Sequence, residues 1–177
     1  MKIMKYLVLC LLIVGNLSCS SDDDGESFDL VGNWTMTEGR IDSGSSVINM
    51  GGMDIPIDYS GEFINITDDN RINFKADNTF TSSTSGISLE MTITVMGVPQ
   101  TQSIEVTDVF GEGTWERNGN ELKIVNENGT AIKYNIDNLN ADTLELSANV
   151  RDMNMGDESN PILDNMDIIV RMKLKRV

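Results

Sequence analysis

The residue of this chain best placed to do chemistry is Cys19. It follows a basic start (Lys2, Lys5), an apolar run from Tyr6 to Val14 and the small residue Ser18, and it precedes an acidic Ser21-Asp22-Asp23-Asp24 run. The apolar run is about half the roughly 20 residues that span a bilayer. It fits the h-region of a cleaved signal peptide, which makes the segment an export address. A thiol just past such a segment is a nucleophile, and an acylated Cys19 would be a tether, not a catalyst. One chain holds a protein at a membrane only marginally; several, each gaining about 0.8 kcal/mol per buried CH₂, hold it firmly.

Leu17-Ser18-Cys19 resembles the lipobox of bacterial lipoproteins, in which a small residue precedes the Cys that is acylated before cleavage. The resemblance implies a signal peptide over residues 1–18, an acidic flexible linker over 19–29 and a membrane partner reached through the lipid on Cys19. The acidic run after the Cys is similar to the surface-export signal of some Gram-negative lipoproteins. The expected location is therefore the outer membrane, lipid-anchored at the cell surface, with the periplasmic face as the alternative.

Composition removes most other chemistries. There is no histidine, so Ser-His-Asp catalysis and His-based zinc sites are excluded. Loss of residues 1–18 takes two of the 13 basic side chains and none of the 28 acidic ones, leaving a formal charge of −17 and Cys19 as the remaining cysteine. No disulfide pair survives. Nucleic acid requires a basic stripe and anionic headgroups attract polybasic segments, so no nucleic-acid partner is expected and membrane contact falls to the lipid. Asp152-x-Asn154-x-Gly156-Asp157-Glu158 is oxygen-rich but misplaces the glycine and the terminal glutamate of a calcium loop. No spacing singles out a pair of carboxylates for glycoside hydrolysis. The sequence therefore predicts no metal, no cofactor and no enzymatic activity.

The elements that must position any site are strands. In Ile87-Ser-Leu89-Glu-Met91-Thr-Ile93-Thr-Val95 every second side chain is apolar, the mark of a half-buried antiparallel strand. The same period recurs in Ile72/Phe74, Leu122/Ile124, Ile132/Tyr134/Ile136, Leu144/Leu146/Ala148 and Ile168/Val170/Met172/Leu174. Asn118-Gly119 and Asn128-Gly129 mark tight turns between them. The pattern predicts an all-β domain over residues 30–177, an antiparallel up-and-down meander of about eight to ten strands; closure of the barrel is left open. Two segments break the rhythm, Gly39–Tyr59, rich in Gly and Ser, and Arg151–Asp167, acidic with Pro161. Both are expected as long loops that carry ligand or partner contacts.

Leu30-Val31-Gly32-Asn33-Trp34 resembles the start of the lipocalin-like domain found in many bacterial lipoproteins. Arg71 to Phe80, Gly111-Glu-Gly113-Thr114-Trp115 and Asp142-Thr143-Leu144-Glu-Leu146 follow in the family's order. The resemblance implies that Gly32 and Trp34 form the barrel base, with Trp34 packed under a basic side chain of the last strand. Strand parity selects Arg176 over Arg171 for that role. It also implies a binding role for a small apolar molecule, with Leu89, Met91, Ile93 and Met172 as ligand-pocket candidates inside the barrel. Flexible, polarizable methionines suit such cavities, and they equally suit a core short of aromatics. The alternative function is a non-enzymatic surface module that presents its two long loops to an envelope protein or an extracellular polymer.

Overall fold

The alternation along the chain becomes eleven antiparallel strands joined in one sheet. The computed structural model describes residues 28–84, 86–106, 109–153 and 167–177. Cys19, the 1–18 segment, most of the 19–29 linker and residues 154–166 lie outside the described residues. In chain order the strands are β1 (Gly32–Met50), β2 (Met53–Ile64), β3 (Arg71–Phe74), β4 (Thr79–Ser83), β5 (Ile87–Val95), β6 (Val98–Val106), β7 (Glu112–Asn118), β8 (Glu121–Asn126), β9 (Ala131–Leu139), β10 (Thr143–Asn149) and β11 (Ile169–Arg176). A 3-10 turn over Val150–Met153 follows β10.

Eight of these strands close a ring. Around it the neighbours run β1, β3, β4, β7, β8, β9, β10 and β11, and β11 returns to pair with β1 from Trp34↔Arg176 to Ile41↔Val170. Closure leaves the ring without a free edge. β1 is long enough to serve two neighbours on one side, pairing with β3 at Gly32–Thr35 and then with β2 from Arg40 to Met50. Its upper half, with β2, β5 and β6, forms a four-stranded wing that leaves the ring and ends at β6. The connection is thus not a simple meander, since the β5–β6 hairpin lies off the ring and β4 pairs with β7 across it.

The expected Gly39–Tyr59 loop is strand. It forms the upper half of β1 and most of β2, joined by a two-residue Gly51-Gly52 turn with φ of 61° and 87°. Both positive angles are those of the mirror-image turn that matches strand twist. The glycines that imitate a loop in the sequence are packing positions. A Cβ on Gly39 would lie 2.6 Å from the Phe63 ring, and one on Gly44 would lie 2.3 Å from the Tyr59 hydroxyl. Each glycine lets an aromatic from β2 lie across β1, which accounts for eleven strands where eight to ten were expected. One extra residue on β1 between Ile41 and Gly44, and another between Met36 and Glu38, bend the strand out of the ring.

At the base of the ring Trp34 is fully buried and its Nε1 donates to the Leu30 carbonyl at 2.8 Å. The Arg176 guanidinium sits over its ring, Cζ 4.3 Å from the centroid. Arg176 also donates to three backbone carbonyls, Ala141 at 2.8 Å, Val31 at 2.9 Å and Asp29 at 2.6 Å. Gly32 makes room for this, because at its φ of 143° a Cβ would lie 2.6 Å from Arg176 Nη1. Beside it Trp115 donates to the carbonyls of Lys75 and Thr79 and meets Phe74 edge-on at 5.6 Å. Arg171 lies on the outer face of the same strand.

Truncating a buried Trp typically costs about 3–5 kcal/mol, a large part of the roughly 5–15 kcal/mol that holds a domain together. Trp34→Ala is therefore expected to unfold the domain or lower its melting temperature strongly. Gly32→Ala, which displaces Arg176 and leaves the indole in place, is expected to cost less. Thermal melts of the two variants check this ordering.

Candidate functional site

The interior of the ring is filled by its own side chains. Trp34, Tyr134, Phe74, Phe80 and Phe110, all nearly inaccessible to solvent, are the bulkiest of the fully buried side chains in one continuous core cluster. The Tyr134 hydroxyl has no hydrogen-bond partner among the described residues, and burial pushes its pKa well above the ordinary phenol range. The wing is different. Its lower rows join the core through Ile41, Tyr59, Ile87 and Leu89, while its upper rows stand over a concave space of about 320 Å³.

That concavity is built by register. Across the wing's inner face the aligned residues are Gly61, Met91 and Gln102; then Tyr59, Ile93 and Gln100; then Ile57, Val95 and Val98; and Ile48 with Ile55. Alternation sends these side chains to one face and Asp58, Ser60, Glu62, Glu90, Thr92 and Thr94 to the other. The result is an aliphatic floor with two glutamine amides at its β6 border. None of the residues lining it is ionisable. A molecule seated here meets apolar burial and amide hydrogen bonding, and no group poised for proton transfer.

The four ligand-pocket candidates of the sequence separate. Met91 and Ile93 line the concavity, on the wing and outside the ring. Leu89 and Met172 belong to the packed core, at 9% and 2% exposure. Strand parity placed Leu89, Met91 and Ile93 on one face correctly, but that face changes from filled to open as β5 climbs away from the ring. Sequence reasoning missed Ile48, Ile55 and Ile57, because their segment read as loop. The signal that marks them is the Ile-x-Ile spacing of Ile55 and Ile57 opposite Ile48 across the Gly51-Gly52 turn. Met96, at the β5–β6 turn, is 75% exposed.

The opposite face of the sheet is charged. Where β1 bends, a groove of about 740 Å³ opens between the ring and the wing. Pairing lays Arg171, Arg40, Glu62 and Glu90 side by side across four strands. The adjacent arginines are tolerated because Asp42 accepts from Arg171 at 2.7 Å and from Arg40 at 3.3 Å. Asp137 accepts a further bond from Arg171 at 2.9 Å and one from Ser147. This cluster ties β1, β9, β10 and β11 together across the seam of the ring.

Burial raises the Asp42 pKa, but hydrogen bonds from Arg171 and Arg40 outweigh it and hold the carboxyl below its ordinary 3.8. A lowered folded-state pKa contributes stability that is present above the unfolded value and lost as the pH falls through the folded one. Asp42→Asn is therefore expected to lower the melting temperature at neutral pH and to make a smaller difference in the acid range below about pH 4. Because the partners are partly exposed, the effect should be modest and weakened by salt. Melting curves at the two pH values check it.

A family model described as a lipocalin-like domain matches residues 30–146. No curated protein and no solved structure matches the chain. The matched segment begins at Leu30, beneath Trp34, and ends at Leu146 in β10, so it takes in β1 to β9 whole and the first half of β10. The closed eight-stranded antiparallel ring, its base and the order of its strands agree with that match, and this chain belongs to the lipocalin-like domain family.

Proposed function

We propose that the protein is a non-enzymatic, lipid-anchored envelope protein, held at the outer membrane and displayed at the cell surface, that binds one small apolar molecule on the inner face of its wing. The observation that carries the binding reading is the 320 Å³ concavity floored by Ile48, Ile55, Ile57, Met91, Ile93 and Val95. Small-molecule sites begin at about 300 Å³ and are mostly apolar with a few placed polar groups, here Gln100 and Gln102. The packed ring interior supports the wing as the ligand's place over the barrel centre, where the family resemblance had put it. Membership of the lipocalin-like family supports a binding role, and a floor of aliphatic side chains supports fatty acyl chains or similar apolar groups as the ligand class. Affinity then comes from burial and not from Coulomb attraction, despite the strongly negative chain.

Support for the anchor is the order of basic residues, apolar run, Ser18 and Cys19 in the sequence. Support for surface display is the acidic run that follows.

Two experiments test these parts separately. In protein freed of acyl chains by Cys19→Ala, a neutral naphthylamine probe is expected to bind saturably at about one per chain. Ile93→Asp, which places a carboxylate in the floor, should weaken binding about tenfold or more, and Met91→Trp should block it by filling the space. Probe binding that is unchanged in both variants removes the wing as the site. In cells, Cys19→Ala should abolish acylation and release the protein from the membrane fraction, and protease added to intact cells should remove the unaltered domain. Membrane retention of an unacylated Cys19→Ala protein contradicts the anchor; complete protease protection contradicts surface display.

A further inference from the structure

We infer that β6 is a self-association edge, at which two copies of this chain join their wings into one continuous sheet. β6 is the last strand of the sheet, paired with β5 on one side and with no strand on the other among the described residues. The edge-exposed backbone groups follow from the hairpin. Val95 and Val98 flank a two-residue Met96-Gly97 turn with φ of 51° and 81°. In such a hairpin the flanking pair is hydrogen-bonded, so Val98, Gln100, Gln102, Ile104 and Val106 turn their backbone groups toward β5. Pro99, Thr101, Ser103 and Glu105 turn theirs outward. Proline at an outward position costs the β5 pairing nothing, which explains why Pro99 fits in this strand. Among the described residues nothing pairs with the outward backbone donor and acceptor of Thr101, Ser103 and Glu105.

Those three residues are self-complementary. An antiparallel pairing about a two-fold axis at Ser103 sets Ser103 opposite Ser103 and Thr101 opposite Glu105 of the second copy. About six backbone hydrogen bonds form, and Pro99 stays outside the stretch. The charge pattern favours a second copy at this edge and disfavours it elsewhere. The chain carries a formal charge of −15, yet β6 contains one ionisable residue in nine, Glu105. In this register the two Glu105 carboxylates face threonines and lie roughly 13 Å apart, beyond the Debye length of about 8 Å at physiological salt. The edge also carries exposed apolar surface, Val98 at 60% and Ile104 at 52%. Pairing puts Ile104 beside Gln102 of the second copy on the inner face, so the two wing concavities become one floor running across the axis. The association itself needs no ligand and stands or falls apart from the binding role.

Sedimentation velocity on the full chain in detergent, with its scattering mass corrected for bound detergent, is expected to show a dimer. Thr101→Glu, which sets a carboxylate against Glu105 of the second copy, should shift it to monomer, while Thr101→Lys at the same exposed position should not. Ser103→Pro removes one outward donor, as Pro99 already does two pairs away, and should give monomer with unchanged far-ultraviolet dichroism. In cells, Ser103→Cys should form an oxidant-induced dimer, because paired Cα atoms about 5.5 Å apart suit a disulfide. Asn118→Cys, at the barrel base, should not. A monomeric full chain, a dimer indifferent to the sign of charge at position 101, or cross-linking no greater at 103 than at 118 overturns the inference.

Discussion

The Arg176 guanidinium stacked on Trp34 is the contact on which the rest of the ring depends. A closed barrel must join its first and last strands, and these two residues are partners in that pairing. The same guanidinium binds carbonyls at Asp29, Val31 and Ala141, so it fastens the entering chain, the last strand and the β9–β10 turn at once. Its charge is delocalised and weakly hydrated, which suits an aromatic face and a ring of carbonyl acceptors better than an ammonium would. The requirement extends backwards to Gly32, the residue type that leaves space for the guanidinium.

With the base closed, the fold is governed by how β1 leaves the ring. Two bulges turn it so that its upper half can no longer reach β3, and β2 takes the vacated side. The ring interior is then short and filled, while the diverging wing keeps an apolar face with nothing opposite its upper rows among the described residues. Apolar burial and ligand space are thus separated along one sheet, with Tyr59 at the border. Its ring lies across Gly44, and its hydroxyl donates to the Asp167 carbonyl at 2.9 Å, linking the wing to the segment that enters β11.

The outer face answers a different constraint. A short seam between β1 and β11 brings Arg40 and Arg171 face to face, and a like-charged pair at that spacing is unfavourable. Asp42 and Asp137 convert the repulsion into a cross-strand network spanning the seam. Burial of its members is partial, so this network orders the surface more than it stabilises the core.

The sequence by itself determined the strand character of most of the domain, the tight turn at Gly119 and, once the family resemblance had supplied Trp34 and a basic partner, which arginine of the last strand shares the inward face. Each of these is a local property: side-chain alternation, a residue that tolerates positive φ, or the parity that separates Arg176 from Arg171. Tertiary structure decided the remainder. Gly39 and Gly44 read as loop because their role is to lie beneath Phe63 and Tyr59, residues 24 and 15 positions further along the chain. Leu89 and Ile93 share one face of one strand, yet one is packed and the other lines a concavity, because alternation specifies which face a side chain takes and not what covers it. Ring closure depends on register shifts that accumulate around eight strands, and no single segment encodes that sum.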